Sequence, residues 1–145
     1  MFKRDILFHL ERWKDDTHRK PLILRGARQV GKTTVVNEFG KQFDNYLYLN
    51  LEKREAASLF ELNVSLKDLM PLFFAHCGKI RNEGTILLFI DEIQNSAKAV
   101  ALLRYFYEEL PDIYVIAAGS LLENLIDVRA VSYTHLRAHE TAANL

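Results

Sequence analysis

Eight consecutive residues carry the clearest chemistry in this chain: Gly26, Ala27, Arg28, Gln29, Val30, Gly31, Lys32 and Thr33. They spell G-x-x-x-x-G-K-[ST]. Glycines at the first and sixth positions let a loop curl until its backbone N–H groups point inward at phosphate oxygens. A helix starting near Lys32 adds the positive end of its dipole at the same point. On this pattern Lys32 reaches the β- and γ-phosphates of a nucleotide, and the Thr33 hydroxyl ligates Mg²⁺. Thr34 is read as helix packing ahead of a second ligand in the same phosphate loop. The competing reading, an ordinary glycine-containing strand–helix turn, does not account for the lysine and threonine together.

A second constellation follows about sixty residues later. Ile86–Ile90 is apolar and ends in Asp91-Glu92. An apolar strand that ends in an acid delivers Asp91 to the phosphate side of a sheet, where it can hold the Mg²⁺ shell. Glu92, one residue on, is placed to polarise a water in line with the γ-phosphate, the general-base role. Gln94 either orients water or a nucleotide-dependent contact, or caps the next helix. Ser120, after Gly119, would stand beside the γ-phosphate if its strand lay between the first and third. Otherwise it is a helix N-cap for Leu121–Leu125.

These residues need a frame to hold them. Ile6, Leu7, Leu10 and Trp13 recur at helical spacing, so Arg4–Trp13 reads as an amphipathic helix. Leu22–Leu24 is a short strand running into the loop, and Lys32–Phe43 is a helix with Val35, Val36 and Phe39 turned inward. Tyr46–Leu51 is rich in strand formers. Helices are expected over Arg54–Glu61 and over Leu66–Cys77, the latter kinked or restarted at Pro71. Thr85–Ile90 is apolar throughout, as in a parallel strand buried on both faces. Ala97–Leu110 is helical up to Pro111, and Ile113–Ala118 is a fourth strand. This alternation means an α/β fold with a mostly parallel sheet.

Composition narrows the function class. In 145 residues, 19 Lys+Arg balance 19 Asp+Glu, so no global field selects for nucleic acid or an anionic membrane. Apolar residues at 49% and charged residues at 26% describe a globular domain with a core rather than a disordered chain. Residues 1–41 hold ten basic and five acidic side chains, read as a solvated face plus the phosphate loop. Apolar runs such as Ile86–Ile90 are far short of the ~20 residues that span a bilayer, and the N-terminus lacks a signal peptide's apolar region. The expected location is the cytoplasm. The one cysteine, Cys77, excludes a disulfide framework and reads as a buried, inert thiol.

Val131–Thr141 reads unlike what precedes it. The segment resembles the translation of a transposase-type sequencing adapter: codons GTC-TCT-TAT-ACA-CAT-CTC-CGA-GCC-CAC-GAG would give Val131 to Glu140, and a following AC would open Thr141. Residues 130–145 are therefore expected to be a non-native tail and are excluded from fold reasoning. The alternative is a natural helix end with His135 and His139 at metal-binding spacing. On the adapter reading, residues 1–129 are the N-terminal part of a longer ATP-binding domain.

The phosphate loop, the run Asp91-Glu92-Ile93-Gln94, Ala101–Leu110 and Ala117–Glu123 resemble bacterial AAA+-type ATPases. The group most similar pairs an N-terminal AAA module with a C-terminal domain of unknown function. The resemblance covers about Lys3 to Asp127. It implies a P-loop NTPase three-layer sandwich with strand order 5-1-4-3-2, here truncated before strand 5, with ATP and Mg²⁺ as cofactors. It also implies Gly26, Gly31, Lys32 and Thr33 as phosphate-loop residues, Asp91 as metal acid, Glu92 as catalytic acid and Ser120 as sensor. Assembly into a homo-oligomer, and a protein or nucleic-acid partner engaged through a missing C-terminal domain, are expected; a membrane is not. The fifth strand, the helical lid with its second sensor and an arginine finger have no counterpart here, so the chain itself is expected to be inactive. The runner-up functions are a nucleotide-operated switch or binding module with little turnover, and a small P-loop kinase. A GTPase would need an Asn/Thr-Lys-x-Asp signature, which is absent.

Overall fold

This computed structural model describes residues 2–26, 31–119 and 132–136. Helix α1 (Phe2–Asp15) precedes strand β1 (Leu22–Gly26), helix α2 (Lys32–Gly40) and strand β2 (Asn45–Asn50). Helices α3 (Arg54–Leu59) and α4 (Leu66–His76) lead to strand β3 (Ile86–Asp91). A 3-10 turn at Ile93–Asn95, helix α5 (Ala97–Glu109) and strand β4 (Tyr114–Ala118) follow, and strand β5 spans Ser132–Leu136.

All strand pairs are parallel, and the sheet order is β2-β3-β4-β1-β5, the 5-1-4-3-2 arrangement read from its other edge. Alternate residues of a strand face opposite sides of a sheet, and the core divides accordingly. Leu88, Ile90, Val115 and Ala117 face α3, α4 and α5. Leu87, Phe89, Ile116 and Ala118 face α1 and α2. Every residue of β3 is buried, as expected for a strand covered on both faces. Trp13, Phe43 and Tyr114 stack edge to face and lock α1 and the turn after α2 to the sheet, with Trp13 Nε1 donating to the Lys20 carbonyl at 2.7 Å. Full burial of a phenylalanine ring such as that of Phe43 contributes roughly 1.5–3 kcal/mol.

One alternative is resolved and one expectation is corrected. Helix α4 is not restarted at Pro71 but continues through it as one element, with Leu69, Met70, Phe73 and Phe74 buried; packing of that face outweighs the one backbone donor the proline removes. The correction concerns the edge of β1. The truncated-sheet expectation left β1 with an open edge and gave the tail no packed role. Instead Ser132–Leu136 lies alongside β1, paired from Leu22↔Ser132 to Gly26↔Leu136. An unpaired strand edge is a template for any extended backbone, and tyrosine and threonine favour the extended state.

Candidate functional site

The site is built where β1 turns into α2 and where β3 ends. Gly31 sits just before α2 with φ +76° and ψ +25°, a left-handed conformation that glycine adopts without strain. Its carbonyl accepts from the Val35 amide at 3.1 Å, which starts the helix. Lys32 and Thr33 then form the first turn of α2, Lys32 buried and Thr33 half-buried. Thr34 is exposed, so its expected packing role does not hold: one residue further round the helix it points away from both cores. Gly26 ends β1. Ala27, Arg28, Gln29 and Val30 lie outside the described residues, as does Ser120.

Asp91 closes β3 and is buried. Its Oδ2 accepts from the Thr33 hydroxyl at 3.2 Å and from the Tyr48 hydroxyl at 2.9 Å. Its Oδ1 accepts from the Glu92 amide at 2.9 Å and lies 3.3 Å from Lys32 Nζ. Lys32 Nζ is also 3.8 Å from Glu92 Oε2. Buried charges persist only when paired and hydrogen-bonded, so Lys32, Asp91 and Glu92 hold one another in place. Residues 58 positions apart in sequence are thereby brought into contact.

Glu92 is the one non-glycine residue with positive φ among the described residues, at +53°. This left-handed turn swings the chain off β3 and into the 3-10 turn. Gln94 Nε2 donates to Glu92 Oε1 at 2.9 Å. Gln94 does not cap α5; Ser96 does, its hydroxyl accepting from the Ala99 amide at 3.0 Å. Ser96 stands immediately before the helix, where a short hydroxyl reaches back to the third amide.

Tyr48 was not singled out by sequence reasoning, which read it only as a strand former. Burial, with the Asp91 carboxylate next, pushes its phenol up to about 12. The hydroxyl therefore stays protonated and donates. The alternation of Tyr46 and Tyr48 along β2 signals a strand but does not say which residue meets the acid.

The family described as AAA domain matches residues 18–136. The chain belongs to that family. Among solved structures, the AAA domain is similar to a Walker-type ATPase of Pyrococcus abyssi, with TM-score 0.55 and 16% identity, over 94% of this chain and 52% of that one. It is also similar to a chain of Drosophila ORC bound to DNA, with TM-score 0.56 and 17% identity, over 95% and 41% respectively. A third likeness, to Drosophila ORC bound to AT-rich DNA and Cdc6, has TM-score 0.52 and 12% identity over 99% and 59%. At these identities the likeness is one of fold, and the chain spans about half the length of the structures it matches. No curated protein matches the chain.

The donor set of the AAA domain suits a nucleotide with a hard divalent cation. A hydroxyl and a carboxylate oxygen, on Thr33 and Asp91, stand 3.2 Å apart beside a buried ammonium group. Mg²⁺ takes oxygen ligands and commonly uses one carboxylate together with phosphate oxygens and water. Among the described residues no helix is long and apolar enough to cross a membrane.

Proposed function

We propose that this AAA domain binds ATP with Mg²⁺ and hydrolyses it, coupling turnover to a protein or nucleic-acid partner engaged by other parts of a longer cytoplasmic protein. The observation that carries the reading is the contact between Thr33 and Asp91, which joins the helix after the phosphate loop to the acid ending β3. Residues Gly26–Thr33, with Thr34 at the rim, form the phosphate loop, and Thr33 and Asp91 hold the cation. When bound, Mg²⁺ neutralises charge on the phosphates. Lys32 exchanges its carboxylate partners for the β- and γ-phosphates, Glu92 takes a proton from the attacking water, and Ser120 contacts the γ-phosphate. A homo-oligomer is the expected assembly.

One observation favours the switch reading as second choice. Lys32 is held by Asp91 and Glu92, so phosphate binding must rearrange the acids, and such a rearrangement can signal without rapid turnover.

Residues 1–129 are, on the same proposal, the N-terminal part of the ATP-binding domain, and 130–145 are a non-native tail. The resemblance of Val131–Thr141 to a translated adapter supports the second part. A main-chain pairing such as that of β5, which does not depend on a designed sequence, is compatible with it.

Glu92→Gln in the longer protein separates the two readings. Loss of a general base commonly costs ~10²–10⁴ in rate. Hydrolysis is expected to fall by that order while ATP binding is kept; turnover at the wild-type rate removes Glu92 from the mechanism and favours the switch.

A further inference from the structure

We infer that Gln94 is a positioning residue for Glu92, and that Gly119 at the end of β4 provides the space that lets it act. The inference rests on the proposed ATPase reading and adds two residues to it.

Glu92 opens its turn in a left-handed conformation, so its backbone alone does not direct the carboxylate. Among the described residues, two side chains that reach its carboxylate are Lys32 and Gln94. Lys32 Nζ lies 3.8 Å from Oε2, and the Gln94 amide donates to Oε1 at 2.9 Å. The first contact is one that ATP removes, because the phosphates compete for the Lys32 ammonium group. The second comes from a neutral amide two residues along the same turn, and phosphate has no electrostatic claim on it. Gln94 is thus a contact that continues to aim Glu92 after nucleotide has drawn Lys32 away. A general base must meet its water within hydrogen-bond reach, so orientation is where such a residue contributes.

Gly119 sets the other side of the amide. A Cβ built at Gly119 would fall 2.1 Å from Gln94 Oε1, far inside contact distance, and 3.3 Å from the Ile93 amide nitrogen. The atom it strikes is the far end of a flexible side chain, so alanine at 119 can be accommodated by turning Gln94 away from Glu92. The end of β4 is thereby linked to Glu92 through a single side chain. Because Gly119 immediately precedes Ser120, a shift of that strand end on contact with phosphate would reach Glu92 by this route.

The test measures Gln94→Ala, Gly119→Ala and the double variant in the longer protein, with Glu92→Gln alongside. Each single variant is expected to lower kcat about tenfold to a hundredfold, with KM for ATP and the thermal shift on adding Mg·ATP unchanged. The double variant is expected to be no worse than Gln94→Ala, since both substitutions break one contact. A second measurement needs no turnover. In the nucleotide-free protein, the Gln94 side-chain amide protons are expected to resonate downfield as a hydrogen-bonded pair, and to move to free-amide positions in Gly119→Ala. Wild-type kcat in Gln94→Ala beside an inactive Glu92→Gln overturns this inference and leaves the ATPase reading intact. Additive losses in the double variant, or an unmoved amide signal in Gly119→Ala, also overturn it. Wild-type turnover by Glu92→Gln overturns the reading beneath it.

Discussion

The Tyr48 hydroxyl donates to Asp91 Oδ2 at 2.9 Å, from one strand across to the next. Tyr48 pairs with Phe89 in the β2–β3 register, so Asp91 is its diagonal neighbour, two residues further along β3. Cross-strand neighbours at that offset lie within reach of a long aromatic side chain. The carboxylate oxygen that meets Thr33 is therefore fixed from β2 as well as from α2.

Tyr48→Phe removes one neutral donor and leaves the ring packed against Phe89. A hydrogen bond to a charged acceptor is worth roughly 1.5–3 kcal/mol, and Asp91 keeps its contacts with Thr33, Lys32 and the Glu92 amide. The expected outcome is a folded protein whose Mg²⁺-dependent ATP affinity falls about tenfold, with little change in nucleotide affinity when EDTA is present. Calorimetric titration in Mg²⁺ and in EDTA checks this; equal losses in both would separate Tyr48 from the metal acid.

Much of this arrangement was legible in the residues themselves. The G-x-x-x-x-G-K-T spacing fixes where a strand must stop and a helix must start, and β1 and α2 do so at Gly26 and Lys32. The apolar run ending in Asp91-Glu92 marks a buried central strand, and β3 is buried along its whole length. What pattern alone could not supply was the register between β2 and β3, which decides that Tyr48 rather than Tyr46 meets Asp91. Nor could it supply the left-handed turn at Glu92, which brings Gln94 back onto the acid instead of onto α5. The pairing of β5 escaped for another reason. Residues 130–145, read as a non-native tail, stood outside the fold reasoning, so no strand was sought where Ser132–Leu136 pairs with β1.

The main-chain character of the β5 pairing is testable. Replacing Ser132–Leu136 with alternating threonine and valine should leave stability within about 0.5 kcal/mol, whereas deleting 131–145 should lower Tm and cause concentration-dependent association through the freed edge of β1. Thermal melts and light scattering check both. A replacement as damaging as the deletion would mean that the native side chains of β5 carry the pairing.

Acid titration reports on the turn that aligns β2 with β3. Asp44 Oδ2 accepts from the Thr85 amide at 2.9 Å and from the Thr85 hydroxyl at 3.1 Å. The backbone amide first, then the hydroxyl, hold the Asp44 carboxyl below its ordinary 3.8. A carboxyl lowered in the folded state binds fewer protons there than in the unfolded state. Its contribution is full above the unfolded value and disappears as pH falls through the folded one. Asp44→Asn should therefore flatten the dependence of Tm on pH below the ordinary 3.8. An unchanged slope in that variant would assign the dependence to other carboxylates.

The central claim, that Lys32 and the phosphate loop take the phosphates of ATP, is tested most directly by thermal denaturation of the longer protein with and without Mg·ATP. At about a hundred times its dissociation constant, a ligand adds ~2.7 kcal/mol of stability. The account predicts a shift of that size in the wild type and almost none in Lys32→Ala. A shift in Lys32→Ala equal to that of the wild type would contradict it.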